Sequence, residues 1–279
     1  MQGYAWGGSL MSIDWQQQVC LITGASGGIG EAIARKLAGL GASLILTGRN
    51  GAKLSELLES LPGRHTVACA DITTAEGLDK VVAVCHEHPP TMLINSAGIN
   101  EIGNFSAIPM ARIEALLATN LTAPIALIQR LLPVLQRAGK SYVVNVGSTF
   151  GSIGFPCHAA YCASKFGLRG FTESLIREYA HSSVNFYYLA PRATQTAINS
   201  DAVVSMNQAL GNQMDPPERV ADALVAQLEG NKSRWFIGFP ERLFARINGV
   251  FPAIVDRALI KKLPVIQRFL TSVTKEKLS

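Results

Sequence analysis

Charge and aromatic rings are scarce in this chain: 16% of its 279 residues are Asp, Glu, Lys or Arg, and 7% are Phe, Trp or Tyr. No uninterrupted apolar run approaches the roughly 18 residues that a membrane-spanning helix requires, so a soluble or peripheral protein is expected. Basic residues are neither interleaved with aromatics nor gathered on a recognition helix, which removes nucleic acid as a partner. The five cysteines, Cys20, Cys69, Cys85, Cys157 and Cys162, are odd in number and lie mostly inside apolar segments. Buried free thiols in a reducing, cytoplasmic compartment fit that pattern better than a disulfide framework. The run Cys85-His86-Glu87-His88 sets its residues side by side rather than at metal-ligand spacing, and no metal site is expected. Met1 to Leu10 show neither the basic nor the apolar region of a signal peptide.

What the chain does have is apolar material, 48% of it, at a length that suits one α/β domain. Short β-branched runs alternate with helical periodicity, the pattern of βα units around a parallel sheet. The expected strands are Val19 to Thr23, Ser43 to Thr47, His65 to Ala70, Thr91 to Asn95, Ser141 to Val146, Val184 to Ala190 and Arg234 to Ile237. Helices are expected at Gly30 to Leu40, Ala75 to Glu87, Ile113 to Gln136, Tyr161 to His181 and Pro217 to Glu229, the last with Asp215 as its N-cap. The fold class is α/β: a doubly wound, mostly parallel seven-stranded sheet with helices on both faces over residues 1–239, followed by a helical extension, 240–279. That extension carries eight Lys/Arg against three Asp/Glu, which is the whole basic excess of the chain. It reads as three short amphipathic helices broken at Pro252 and Pro264, suited either to cover a cleft, a sheet edge or a sister subunit, or to lie on an anionic membrane surface.

The segment Thr23-Gly24-Ala25-Ser26-Gly27-Gly28-Ile29-Gly30 joins the first strand to the first helix. Its glycines let backbone N–H groups approach a dinucleotide pyrophosphate, and the helix N-terminus favours the negative charge, making the sheet Rossmann-type. Gly24, Ser26, Gly28, Ile29 and Gly30 are the cofactor candidates here. An acid at the end of the second strand would accept the ribose hydroxyls of NAD(H) and repel a 2′-phosphate; this chain has Gly48 there, followed by Arg49, a guanidinium fork suited to phosphate. NADP(H) is therefore preferred over NAD(H).

Tyr161 and Lys165 stand four apart, on one face of an expected helix, with Ser148 thirteen residues upstream at a strand end and Asn120 before that. A phenol of pKa about 10 is a weak base, and a cation about 5 Å away at an effective dielectric near 20 would favour the phenolate by roughly 3 kcal/mol, about two pK units. In chain order TGASGGIG, Asp71, NSAG at 95–98, Asn120, Ser148, Tyr161-x-x-x-Lys165 and Pro191 to Thr196 resemble the short-chain dehydrogenase/reductase family over roughly residues 15–240. The resemblance implies that Asp71, with Ile72 beside it, meets the adenine edge and that Asn95, Ala97 and Gly98 line the centre of the cofactor site. It further implies that Pro191, Thr194 and Thr196 face the nicotinamide, that Lys165 grips its ribose, and that Asn120 holds a water in a proton relay. The expected assembly is a homodimer or homotetramer. Arg192 stands where the family has Gly, leaving a phosphate contact, a substrate contact and a surface position all open.

The expected function is carbonyl reduction or alcohol oxidation with NADP(H): Tyr161 gives or takes the proton and Ser148 bonds the reacting oxygen. Phe150, Phe155 and Cys157 are candidate substrate walls, and Ile198, Val203, Val204, Met206, Leu210 and Met214 a candidate lid, which points to a small lipophilic substrate. His158 reads as an ordinary loop histidine. The other readings are an idle dinucleotide-sensing protein, an NAD-dependent alcohol dehydrogenase, and a sugar epimerase or dehydratase, whose glycine spacing and larger C-terminal domain do not fit.

Overall fold

The computed structural model describes residues 13–196 and 201–276. Met1 to Leu10 and the lid candidate Ile198 lie outside them. Seven strands, β1 (Val19–Thr23), β2 (Ser43–Gly48), β3 (His65–Cys69), β4 (Met92–Asn95), β5 (Ser141–Val146), β6 (Val184–Ala190) and β7 (Arg234–Phe236), form one sheet in the order 3-2-1-4-5-6-7, parallel throughout. The helices are α1 (Gly28–Gly39), α2 (Gly51–Ser60), α3 (Ala75–Glu87), α4 (Met110–Leu117), α5 (Ala123–Arg137), α6 (Ala159–Glu178), α7 (Asp201–Ala209), α8 (Pro217–Glu229), α9 (Glu241–Val250) and α10 (Pro252–Glu276).

Alternation along each strand sends side chains to two cores. Ile22, Leu44 and Leu46 pack with Ile33 and Leu37 of α1, Leu54 of α2 and Leu224 of α8. Leu21, Ile45 and Leu93 pack on the other face with Val81 of α3 and Leu127 and Leu131 of α5, with Phe171 of α6 partly buried against them. Both faces are covered, which is why β1, β4 and β5 are continuous buried runs rather than amphipathic ones. Strand order reverses direction between β1 and β4, so the loops leaving their carboxyl ends diverge and open a crevice there.

The single helix expected over 113–136 is two, α4 and α5, joined by a wide π-type turn at Ala118–Thr122. Pro124 explains the break: it has no N–H to give the carbonyl four residues back, which belongs to Asn120. The stretch Met110–Arg137 is long and apolar enough to cross a membrane, yet Leu127, Ile128, Leu131 and Leu135 bury its inner face in the second core. In the extension the expected break at Pro264 is absent; α10 runs through it. A proline inside a helix costs about 3 kcal/mol, and here the helix is held from below by fully buried Ile266 and nearly buried Val255. Asp215 does not cap α8, whose N-cap is Pro216.

Gly147, just after β5, is the point where packing leaves no room: a Cβ would fall inside the Tyr188 ring. Gly147→Ala should destabilise the protein by about 1–3 kcal/mol, the usual cost of overpacking. A urea melt indistinguishable from wild type would show that Tyr188 does not hold this position.

Candidate active site

Two clefts open at the carboxyl ends of the strands and share Ile29 and Thr196. The first, about 230 Å³, is lined by the turn residues Gly24, Ser26, Gly28, Ile29 and Gly30, by Arg49, Asp71 and Ile72 beyond β2 and β3, by Ala97 and Gly98 beyond β4, and by Thr196. Gly24 has φ +67°, and a Cβ there would come 2.8 Å from the Ala97 backbone, so the β1 turn and the β4 loop touch through bare main chain. Thr23 Oγ1 fastens the same junction by accepting the N–H groups of Ser96 and Ala97, both at 3.0 Å. Gly27 caps α1 without a side-chain bond, leaving first-turn N–H groups facing the turn. Asp71 Oδ1 accepts from the Thr73 side chain (2.7 Å) and N–H (2.9 Å), which with nearby Arg49 holds its carboxyl below the usual range despite some burial.

Asn95 departs from expectation. It lies beneath the cleft, buried, donating to Asn145 Oδ1 at 2.8 Å, and Asn145 donates in turn to Thr172 Oγ1 at 2.9 Å. This buried chain joins β4, β5 and α6 and is the support on which α6 is set against the sheet. Neither Asn145 nor Thr172 was marked by sequence; polar residues inside apolar strands were the available signal.

Ser148, Tyr161 and Lys165 converge at the second cleft's inner end. Ser148 is held through its backbone: its N–H donates to the Tyr188 hydroxyl (3.3 Å), which donates back to its carbonyl (3.2 Å). Its Oγ accepts the Phe150 N–H at 3.1 Å and is hydrogen-bonded to the Tyr161 hydroxyl. Lys165 is buried, its Nζ donates to the Val146 carbonyl at 3.1 Å, and it stands 5.8 Å from the Tyr161 ring centre. Asn120 is fully buried with its amide engaged: Oδ1 accepts the Ile99 N–H (2.8 Å), and Nδ2 donates to the Ile99 carbonyl (2.9 Å) and Ser164 (3.2 Å). Its side chain therefore clamps the β4 loop. What its position offers a relay is the main-chain carbonyl that Pro124 cannot bond.

The electrostatics reverse one expectation. Burial pushes the Tyr161 phenol up to about 12, against a smaller lowering by the Ser148 bond. Burial also lowers Lys165 to about 8. The lysine, spent partly on Val146 and itself desolvated, does not outweigh the loss of water around the phenol. Tyr161 is thus a protonated phenol at neutral pH, a donor in waiting.

The second cleft, about 320 Å³, has an aromatic wall in which Phe150 and Phe155 stack at 4.7 Å and His158 sets its edge to both. His158 is not an ordinary loop residue: it is buried, and burial drops its pKa to about 4. Its Nδ1 lies 3.2 Å from the Pro156 carbonyl, which can only accept, so Nδ1 carries the hydrogen and Nε2 is an acceptor. Asn100 adds a buried Oδ1 with no hydrogen-bond partner at the same cleft. Cys157, one of the expected walls, does not line it; its φ of +65° turns the chain there. Pro191 and Thr194 line this cleft, as do Val203 and Met206 of α7; Val204, Leu210 and Met214 do not. Phe244 of α9 and Val255, Leu259 and Lys262 of α10 line it as well, so the extension roofs the cleft. Arg192 is not a surface residue: it lines the second cleft, and its buried fork takes both Asp215 oxygens at 2.9 and 2.7 Å and reaches Glu241 at 3.6 Å, tying the β6 loop to the start of α9.

The family model described as short chain dehydrogenase matches residues 18–207. The chain belongs to the short-chain dehydrogenase/reductase family. It is 31% identical over 231 residues to a 3-oxoacyl-(acyl-carrier-protein) reductase of Rickettsia bellii, covering 81% of this chain and 95% of that one. Among solved structures it is similar to a short-chain dehydrogenase from Streptomyces avermitilis (TM-score 0.75, 26% identity, 90% and 98% of the two chains). It is also similar to a metagenomic short-chain oxidoreductase in complex with NADP (TM-score 0.67, 29% identity, 79% and 96%). Short-chain dehydrogenase/reductase chains are oxidoreductases using a nicotinamide cofactor, and the first cleft fits one: bare glycine turns that a Cβ would block, a twelve-residue helix aimed by its N-terminus, and a buried Ser96 Oγ with no protein partner.

The two depressed or raised groups set a pH profile for this oxidoreductase. Lys165 is charged below about 8 and Tyr161 protonated below about 12, so kcat/KM for carbonyl reduction should be level near pH 7 and fall as pH rises through about 8. A profile that stays level or climbs to pH 9.5 would contradict the burial of Lys165.

Proposed function

We propose that the protein reduces a lipophilic ketone, aldehyde or 3-oxoacyl group, or oxidises the matching alcohol, with NADP(H). The observation that carries this reading is the placement of Tyr161: with Ser148 it lines an apolar cleft that adjoins the cofactor cleft, and Lys165 stands 5.8 Å from its ring. The bound nicotinamide supplies or accepts the hydride. Tyr161 donates its proton to the substrate oxygen in reduction, while Ser148 holds that oxygen and bears part of its developing charge. Lys165 holds the cofactor's ribose and keeps a positive charge beside the phenol, and the freed Asn120 carbonyl holds the water through which the proton is replaced. Tyr161→Phe keeps the ring and removes the acid. Turnover should fall at least about 100-fold, the lower end for a general acid, with NADPH binding retained; turnover near wild type would overturn the mechanism.

Preference for NADP(H) is supported by a hollow at the cleft's edge lined by Ser26, Arg49, Asn50, Gly51 and Lys53, with two cations and no acid. It opens beside the N-terminus of α2, where phosphate is favoured. The similar metagenomic oxidoreductase is in complex with NADP, and a similar 3-ketoacyl reductase from Brucella melitensis is in complex with NADH. Arg49→Asp should invert the preference, measured as the ratio of kcat/KM with NADPH to that with NADH. A wild-type ratio near one would defeat the NADP(H) reading and leave an NAD-using dehydrogenase.

An apolar substrate is supported by the aromatic wall and by the Val203, Met206 and Val255 side of the cleft. The neutral His158 Nε2 and the Asn100 Oδ1 add two acceptors, which suit a substrate carrying a hydroxyl or amide hydrogen near its carbonyl. We further infer a homo-oligomer, supported by exposed Phe105, Met110 and Phe166. A cytoplasmic site is supported by five unpaired cysteines.

A further inference from the structure

We propose that the outer face of α9 and α10 docks the enzyme on an anionic lipid surface. Within the extension, helical spacing separates two faces. Val255, Ala258, Leu259, Lys262 and Ile266 recur at three- and four-residue steps and turn inward, four of them to the cleft and Ile266 to full burial. The complementary positions point out and are not polar. Phe239 is 76% exposed, Val250 67%, Phe251 61%, Ile254 55% and Ile260 65%, a concentration of large apolar groups unlike the rest of the surface.

Interleaved with them on the same outward positions are Arg242, Arg246, Arg257 and Lys261, all exposed. Among the described residues none of these four forms an ion pair. The acids nearby are Asp256, exposed on α10, and Glu241, already engaged by Arg192. Charge decides what can cover such a face. A second copy docking face to face would set these cations against their own copies. A bilayer with acidic headgroups offers apolar depth to the phenylalanines and aliphatic residues and counter-charge to the arginines at one plane. The same two helices roof the substrate cleft, so docking would bring its rim to the lipid. This last link rests on the proposed lipophilic substrate; the docking itself does not.

Cosedimentation of the full-length protein with phosphatidylcholine vesicles, with and without phosphatidylglycerol, tests it. Binding should need the anionic lipid and weaken as salt is raised, because screening shortens the reach of the charges from about 10 Å at 0.1 M to about 3 Å at 1 M. Each basic residue near an anionic surface contributes about fivefold in affinity, so Arg246→Glu with Arg257→Glu should weaken binding at least about 25-fold. Phe251→Asp with Ile254→Asp should remove the binding that survives high salt. Neither pair lines a cleft, and NADPH binding should be unchanged, which separates this result from the reductase reading. Equal binding to neutral vesicles, absence of binding to either, or variants that bind as wild type would overturn the proposal. So would variants that dissociate an oligomer while the wild type ignores vesicles, since a second copy would then own the face.

Discussion

A buried ammonium set beside a phenol on a cleft wall, with no acid between them, is the constraint around which this molecule is arranged. Tyr161 and Lys165 sit one turn apart on α6, Lys165 buried and Tyr161 partly covered on the wall of the second cleft, and both lose water they would have in solution. An ammonium in such a place must have a donor's outlet, and the Val146 carbonyl at the end of β5 provides it. The phenol must have a partner, and Ser148, two residues further along, provides that. The catalytic serine and the lysine's anchor are therefore neighbours in sequence because they leave the same strand.

Holding that arrangement falls to groups that never touch a reacting atom. Tyr188 on β6 grips both polar atoms of the Ser148 backbone, and the Asn95–Asn145–Thr172 chain runs through the core from β4 to α6. Apart from the Asn95 Oδ1, which is buried without a partner, the side chains of that network bond one another, which makes it costly to break. Asn120 does the corresponding work for the β4 loop through Ile99. On the far side of the substrate cleft the buried Arg192 fork does it for the extension, through Asp215 and Glu241. Asp215 also pairs with Arg219 at 3.1 Å, so the cluster is held by more than one ion pair.

The seven strands and their parallel order were legible because each is a short β-branched run and each crossover is a helix, so periodicity and connection length agree. The cofactor turn was legible because glycine at 24, 28 and 30 has a backbone cause. What escaped was tertiary. Asn95 sits in a motif that suggests a cleft residue, yet the pleat sends its side chain under the sheet to Asn145. His158 looked bland because nothing local shows that Phe150 and Phe155 will close over it. The rise of the Tyr161 pKa is not legible in the Tyr161–Lys165 spacing, which shows the lysine's charge but not the water that both groups lose. Pro264 was read as a break on local grounds, and the packing of Ile266 overrides it.

The central claim, that loss of water around Tyr161 outweighs the charge of Lys165 and raises its pKa, is open to direct measurement. Carbon-13 labelled tyrosine, observed by NMR during an alkaline titration and compared with Tyr161→Phe for assignment, reports the ionisation of this ring alone. Because its pKa is pushed up to about 12, the Tyr161 signal should remain that of a phenol at pH 10, where a free tyrosine, with a pKa of about 10, is half ionised. A phenolate signal with a midpoint below that of free tyrosine would contradict it and show that Lys165 governs the site after all.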